Sequence, residues 1–148
     1  MPLPRVLGAT EFRLPPVDGF HLPDGRVFAL HGCPDGDFRV AAQASPPAPA
    51  DDIGFATLYP SFETRHPDGH ETLVGGDGAW EGEGFLALID LATQTPTWIF
   101  YCATAEIFIS GAFGPHCIRA VSLGDIHRYH WSFDRVSPPT IRIERSRA

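Results

Sequence analysis

The fold is decided by the stretch GFLALIDLATQTPTWIFYC, residues 84–102. Residues 85–91 are an almost unbroken apolar run, which predicts a strand that is central in its sheet and buried on both faces. The Thr-Gln-Thr-Pro sequence at 93–96 would stop a helix after about two turns and favours a turn instead. The β-branched and aromatic residues of 97–102 predict the partner strand. This stretch therefore predicts a strand pair at the centre of the core.

Strand patterns continue downstream of this pair. Residues 105–110 and 118–122 have strand-like composition, and Ile141 and Ile143 alternate with charged residues in a last predicted strand. In the run 126–133, the two-residue period of a strand places four ring side chains on one face: His127, Tyr129, Trp131 and Phe133.

Upstream segments are short and separated by turn signals. Strand-like pieces lie at residues 11–14, 26–31, 38–43, 53–59, 61–65 and 71–74. Pro67-Asp68-Gly69 suits a three-residue hairpin loop with Gly in the left-handed position. About ten short strands without a convincing amphipathic helix predict an all-β protein, a largely antiparallel β-sandwich or barrel. Residues 1–148 are predicted to form a single β domain.

The formal net charge of −7 is unevenly distributed. Residues 76–112 contain five acidic and no basic side chains, whereas residues 113–148 contain six Arg and three acidic residues. An acidic surface repels nucleic acid and favours cationic partners. We therefore expect a protein partner, and neither nucleic acid nor membrane.

The sequence also predicts the compartment. It has no window of 18 consecutive apolar residues, and its first residues, MPLPR, lack the apolar region of a secretory signal. Its three cysteines include no C-x-x-C pair and do not indicate a disulfide framework. A cytoplasmic protein is the expectation.

Histidines are the main candidates for metal chemistry. His66 and His70 flank the Pro-Asp-Gly loop and are expected to face each other across a hairpin. Together with a third ligand from another strand they would suit zinc or iron, as in a small cupin-like or jelly-roll metalloprotein. The alternative is an exposed cross-strand pair without metal. Since no nucleophile motif such as Gly-x-Ser-x-Gly is present, we predict no catalytic residues and no cofactor.

A Gly-rich acidic segment at residues 76–84 precedes the central strand pair. Asp77, Trp80, Glu81 and Glu83 lie in it. Its carboxylates lack the Asp-x-Asp-x-Asp spacing of a strong calcium loop and would repel phosphate. A Trp flanked by charges is instead typical of an interface anchor, and acidic neighbours attract a basic partner from a distance. We predict that these four residues form a partner-binding loop.

Residues 84–145 resemble the small β-rich bacterial immunity proteins of polymorphic toxin systems. The resemblance is carried by GFLALIDL at 84–91, WIFY at 98–101, IRA at 118–120, WSF at 131–133, Pro138 and Ile141. Residues 103–106, Ala-Thr-Ala-Glu, stand where that family has an Asn-Pro loop. The resemblance implies a sandwich fold and a non-enzymatic inhibitor that binds a basic toxin domain and covers its active site.

Overall fold

The computed structural model describes residues 12–36, 38–47 and 56–148. Within these ranges the regular elements are twelve strands: β1 Phe12–Leu14, β2 Gly19–His21, β3 Val27–His31, β4 Arg39–Val40, β5 Ala56–Arg65, β6 Glu71–Gly78, β7 Gly84–Asp90, β8 Thr95–Cys102, β9 Ile107–Phe113, β10 Cys117–Leu123, β11 His127–Asp134 and β12 Ile141–Arg147. The same ranges hold no helix long and apolar enough to cross a membrane. The all-β prediction is confirmed for this part of the chain.

The strands form two antiparallel sheets. The large sheet has eight strands in the order β1-β5-β6-β7-β8-β2-β3-β4, and the small sheet has the order β12-β11-β10-β9. Each sheet ends in two edge strands, so neither closes into a barrel over the described residues. Of the two predicted architectures, the β-sandwich is therefore the one observed.

Strand β7 lies at the centre of the large sheet and is buried on both faces, as its unbroken apolar run predicts. Leu86 and Leu88 face the core between the two sheets. Phe85, Ala87 and Ile89 belong to a second apolar cluster on the opposite face, where each is at most 1% exposed. A side chain on either face of β7 therefore lies in an apolar environment.

Aromatic rings fill the core between the sheets. Phe100, on β8, is fully buried, and its ring centroid lies 5.0–6.3 Å from those of Phe20, Phe108, Trp131 and Phe133. These separations are typical of favourable tilted and edge-to-face pairs. Of the four ring side chains predicted to share one face of residues 126–133, Trp131 and Phe133 lie in this core, both at most 2% exposed.

The polar groups of this core are paired. The indole nitrogen of Trp131 donates to Ser122 Oγ at 2.9 Å, and that hydroxyl donates to the Ala105 carbonyl at 2.6 Å. A buried N–H without a partner would cost about 1–3 kcal/mol. The chain of two hydrogen bonds therefore lets a Trp occupy the sheet interface.

Strand β6 extends further than the sequence predicts. It continues through Gly75, Gly76 and Gly78, where a loop is expected. A Cβ on Gly76 would lie 2.0 Å from the Tyr59 carbonyl oxygen, and one on Gly75 would lie 2.5 Å from the Phe62 ring. Glycine is needed because β5 and its side chains approach so closely. The prediction of a loop beginning at residue 76 is thus wrong, and the loop covers residues 79–83.

Strand β5 joins two predicted segments and fastens the sheets together. It runs through Pro60 with a bulge rather than ending there. Beyond the bulge, Ser61 Oγ donates to the Phe108 carbonyl at 3.1 Å, and Thr64 Oγ1 donates to the Gly111 carbonyl at 3.0 Å. The exposed edge of β9 therefore finds hydrogen-bond donors on β5.

Two further elements differ from the predictions. Strand β2, only three residues long, inserts between β8 and β3 and was not predicted. The strand expected over residues 38–43 is reduced to the two residues of β4. Residue 11 and residues 53–55, which are predicted to lie in strands, fall outside the described residues.

Candidate protein-recognition site

The β6–β7 connection presents a single large apolar side chain to solvent. Trp80 is 78% exposed at the start of the loop formed by residues 79–83. Glu81 beside it is exposed. Asp77, the second-last residue of β6, is half-buried. Exposure of so much apolar ring surface to water is unfavourable, and contact with a partner would remove that surface from water.

Glu83 has a different environment from the other acidic residues of this segment. It is 5% exposed, and its carboxylate accepts hydrogen bonds from the Tyr101 hydroxyl and, at 2.8 Å, from the Trp80 backbone N–H. Gly78 makes room for it, since a Cβ there would lie 2.5 Å from Glu83 Oε1. Glu83 is predicted to contact a partner. Its side chain is instead buried, where it joins the loop to β8 by a hydrogen bond.

Two other connections lie against this loop. The Glu106 N–H donates to the Gly82 carbonyl at 2.8 Å. A Cβ on Gly124 would lie 3.3 Å from Glu106 Cγ. Loops 79–83, 103–106 and 124–126 thus meet at one end of the sandwich, which we call the acidic end.

Glu106 lies close enough to the other carboxylates of the acidic end to be affected by their charges. Partial burial, followed by the negative charges of Asp125 and Glu81, raises the pKa of Glu106 above its usual value. Ile126, on the third of these loops, is 70% exposed. The sequence analysis missed Glu106, Asp125 and Ile126 because they are far from Trp80 along the chain.

Asp18 makes a hydrogen bond to loop 103–106 of the acidic end. Its carboxylate accepts a hydrogen bond from the Ala103 N–H at 2.9 Å. Partial burial raises the pKa of Asp18, the Ala103 hydrogen bond lowers it, and the charge of Glu83 raises it further, with a net upward shift. The position favours a neutral side chain that can still accept a hydrogen bond.

Replacing Asp18 with Asn is expected to raise the free energy of unfolding at pH 7 by up to about 1 kcal/mol, after allowance for solvent screening. A carboxyl whose pKa is raised on folding stabilises the fold below its unfolded pKa and loses that stabilisation as pH rises through the folded pKa. The gain should therefore vanish near pH 3.5. Urea denaturation at both pH values measures it.

Asp24 provides the control of opposite sign for this measurement. Hydrogen bonds from the backbone and side chain of Arg26 lower the pKa of this exposed carboxyl. Asp24→Asn should therefore lower stability at pH 7. A loss of stability in Asp18→Asn that is equal at both pH values would contradict the role given to burial of the charge.

The predicted histidine pair has a geometry unlike that of a metal site. The backbone N–H of His66 donates to the Glu71 carbonyl at 2.9 Å. Glu71 therefore lies opposite His66, and the expected cross-strand pairing of His66 with His70 is not formed. The His66 ring packs 4.7 Å from Phe113, and its Nδ1 accepts from the Asp68 N–H at 3.1 Å. Among the described residues, no three His, Cys, Asp or Glu side chains are grouped to hold a metal.

Other titratable groups in the core are held neutral by burial. Desolvation lowers the pKa of His21 to about 4, although the Val17 carbonyl accepts a hydrogen bond from its ring. Desolvation raises the pKa of Cys102 to about 11, which disfavours the reactive thiolate. These two side chains act as packing groups.

No protein-family model, curated protein or solved structure matches this chain.

Proposed function

We propose that this protein is a non-enzymatic binding module, an immunity protein that binds and neutralises a cognate bacterial toxin. The observation that carries the proposal is the exposure of Trp80, 78%, on a loop that Glu83 and Tyr101 tie to the sheet. A large aromatic side chain on a preorganised loop is the composition of an interface hot spot, because little conformational entropy is lost when it binds.

Charge supports a basic partner. Glu81, Glu106 and Asp125 come from the three loops of the acidic end and are close enough to interact electrostatically, and Asp77 lies near the end of β6, three residues before Trp80. Repulsion among these carboxylates would be relieved by Arg or Lys side chains of a partner, and their field would accelerate association. A toxin that acts on nucleic acid carries the basic surface such a field selects.

The proposed mechanism is occlusion. The acidic end would contact the basic surface around the toxin's active site, with Trp80 buried at the centre of the contact and the acidic side chains at its rim. The sandwich acts as a rigid support, and no bond is made or broken. The resemblance of residues 84–145 to immunity proteins agrees with this role.

Co-purification tests the proposal directly. The tagged protein is expressed together with the product of the neighbouring gene, and a stable one-to-one complex that suppresses that product's toxicity is expected. If the neighbouring gene encodes no toxin, and the protein neither binds its product nor protects cells from it, the immunity function is wrong.

Replacing Trp80 with Ala should weaken that complex about 30-fold or more, which corresponds to a hot-spot loss of about 2 kcal/mol. Stability should change by less than about 0.5 kcal/mol, because the side chain is exposed. His116→Ala, at an exposed position in the β9–β10 turn at the opposite end of β9, is the matched control and should leave affinity unchanged. Calorimetric titration measures both, and equal affinities of the two variants would remove Trp80 from the interface.

A further inference from the structure

A cavity of about 210 Å³ opens between the two sheets, on the side formed by β2, β3 and β8 facing β10 and β11. We propose that it binds a small, uncharged aromatic molecule that carries one hydrogen-bond acceptor. The inference is independent of the proposed immunity function, since it concerns another surface.

The walls of the cavity are mainly apolar, and four of the lining residues are aromatic. They include Phe20, Phe28, Leu88, Trp98, Ile118 and Phe133. Three of these rings already form a cluster, with Trp98 5.2 Å from Phe20 and 6.2 Å from Phe133 between ring centroids. A further ring in the cavity would find edges and faces at the same spacing.

The volume of the cavity limits the size of the ligand. An apolar cavity of about 150 Å³ takes up benzene, so a cavity of about 210 Å³ accommodates one ring with a short substituent. A long acyl chain or a fused polycyclic molecule would exceed this volume.

The charged residues of the lining are already engaged. Arg135 makes two hydrogen bonds to the Glu71 carboxylate, at 2.5 and 2.6 Å, and lies 5.8 Å from the centre of the Phe113 ring. The Asp134 carboxylate accepts a hydrogen bond from Thr140 Oγ1 at 2.7 Å. A charged ligand would have to compete with these pairs in an apolar site, so the ligand is expected to be neutral.

Trp98 supplies an N–H donor, and the hydroxyl residues Thr97 and Ser137 also line the cavity. The indole nitrogen of Trp98 has no hydrogen-bond partner among the described residues, whereas the indole of Trp131 is bonded to Ser122. Since Trp98 lines the cavity, its N–H is the donor for an acceptor on the ligand.

The cavity is accessible and remote from the acidic end. Val136 lines it and is 58% exposed, so it opens to solvent beside residues 134–139. The adjacent Arg135 is paired with Glu71, the first residue of β6, whereas Trp80 follows the last residue of β6. The eight residues of β6 place Glu71 roughly 23 Å from the start of the loop that carries Trp80.

The three Trp side chains make the test specific. In a proton–nitrogen correlation spectrum each indole N–H gives one resonance, and Trp80→Phe and Trp98→Phe assign them. Acetophenone, one ring with one carbonyl, should shift the Trp98 resonance saturably with a dissociation constant on the order of 1 mM or tighter. The resonances of exposed Trp80 and buried Trp131 should not move.

Two probes and one variant complete the experiment. Benzoate has the same size but is charged, and ethylbenzene lacks the acceptor; both should bind at least tenfold more weakly. Thr97→Phe places a ring at an exposed position of the lining and should weaken acetophenone binding at least tenfold, with an unchanged Trp131 resonance reporting an intact core. The proposal fails if Trp98 shows no saturable shift, if all three indoles shift together, or if Thr97→Phe binds as the wild type does.

Discussion

Replacing Phe100 with Ala is expected to lower the free energy of unfolding by about 3–5 kcal/mol. The side chain is fully buried, and its ring contacts aromatic side chains from β2, β9 and β11. Truncation removes these contacts and leaves a cavity between two sheets whose backbones are held by their own ladders. Because neither sheet can collapse into the gap, the cost should lie at the upper end of this range.

Chemical denaturation with urea measures this effect, with the slope of the transition checked for two-state behaviour. Trp80→Ala is the control, since it deletes a larger aromatic side chain from an exposed position and should cost less than about 0.5 kcal/mol. A cost for Phe100→Ala below about 1 kcal/mol would mean that the ring does not lie in a packed core between the sheets.

The central strand pair is the part of the fold that the sequence predicts best. Residues 85–89 are apolar at consecutive positions, and only a strand covered on both faces buries every one of them. That inference needs no knowledge of distant residues. The alternation in residues 126–133 is equally local, and Trp131 and Phe133 of its predicted ring-bearing face lie in the core.

The glycines of β6 show where local reasoning fails. Gly75, Gly76 and Gly78 have the composition of a loop, yet they continue strand β6, where glycine is required because atoms of another residue occupy the place of its Cβ. The atoms responsible belong to Tyr59, Phe62 and Glu83. Such a requirement comes from packing between segments, which composition within one segment does not reveal.

The candidate site likewise contains some residues that could be predicted from the sequence and others that could not. Trp80 could be predicted as exposed because charged and glycine residues surround it along the chain. Glu106 and Asp125 could not be assigned to the same site, because the loops that carry them meet Trp80's loop only through the sheet pairing. The burial of Glu83 depends on Tyr101, which lies on the neighbouring strand pair.

Replacing Glu83 with Ala is expected to cost about 2–4 kcal/mol of stability and to weaken partner binding without removing any contact with the partner. The substitution leaves the Tyr101 hydroxyl and the Trp80 N–H without their acceptor, and hydrogen bonds to a carboxylate are worth about 1.5–3 kcal/mol. The loop that carries Trp80 then loses its tie to β8 and must be ordered when it binds.

Glu81→Ala separates this effect from simple loss of charge. Both variants remove one acidic residue of the same loop, but Glu81 is exposed, so its removal should leave stability unchanged and reduce only the association rate. Glu83→Ala should in addition speed hydrogen exchange at the Trp80 amide. In the double variant with Tyr101→Phe, the costs should be less than additive, because one hydrogen bond is counted in both single variants. Fully additive costs together with unchanged exchange at Trp80 would show that the Glu83–Tyr101 hydrogen bond does not fix the loop, and the preorganisation on which the proposed recognition rests would be lost.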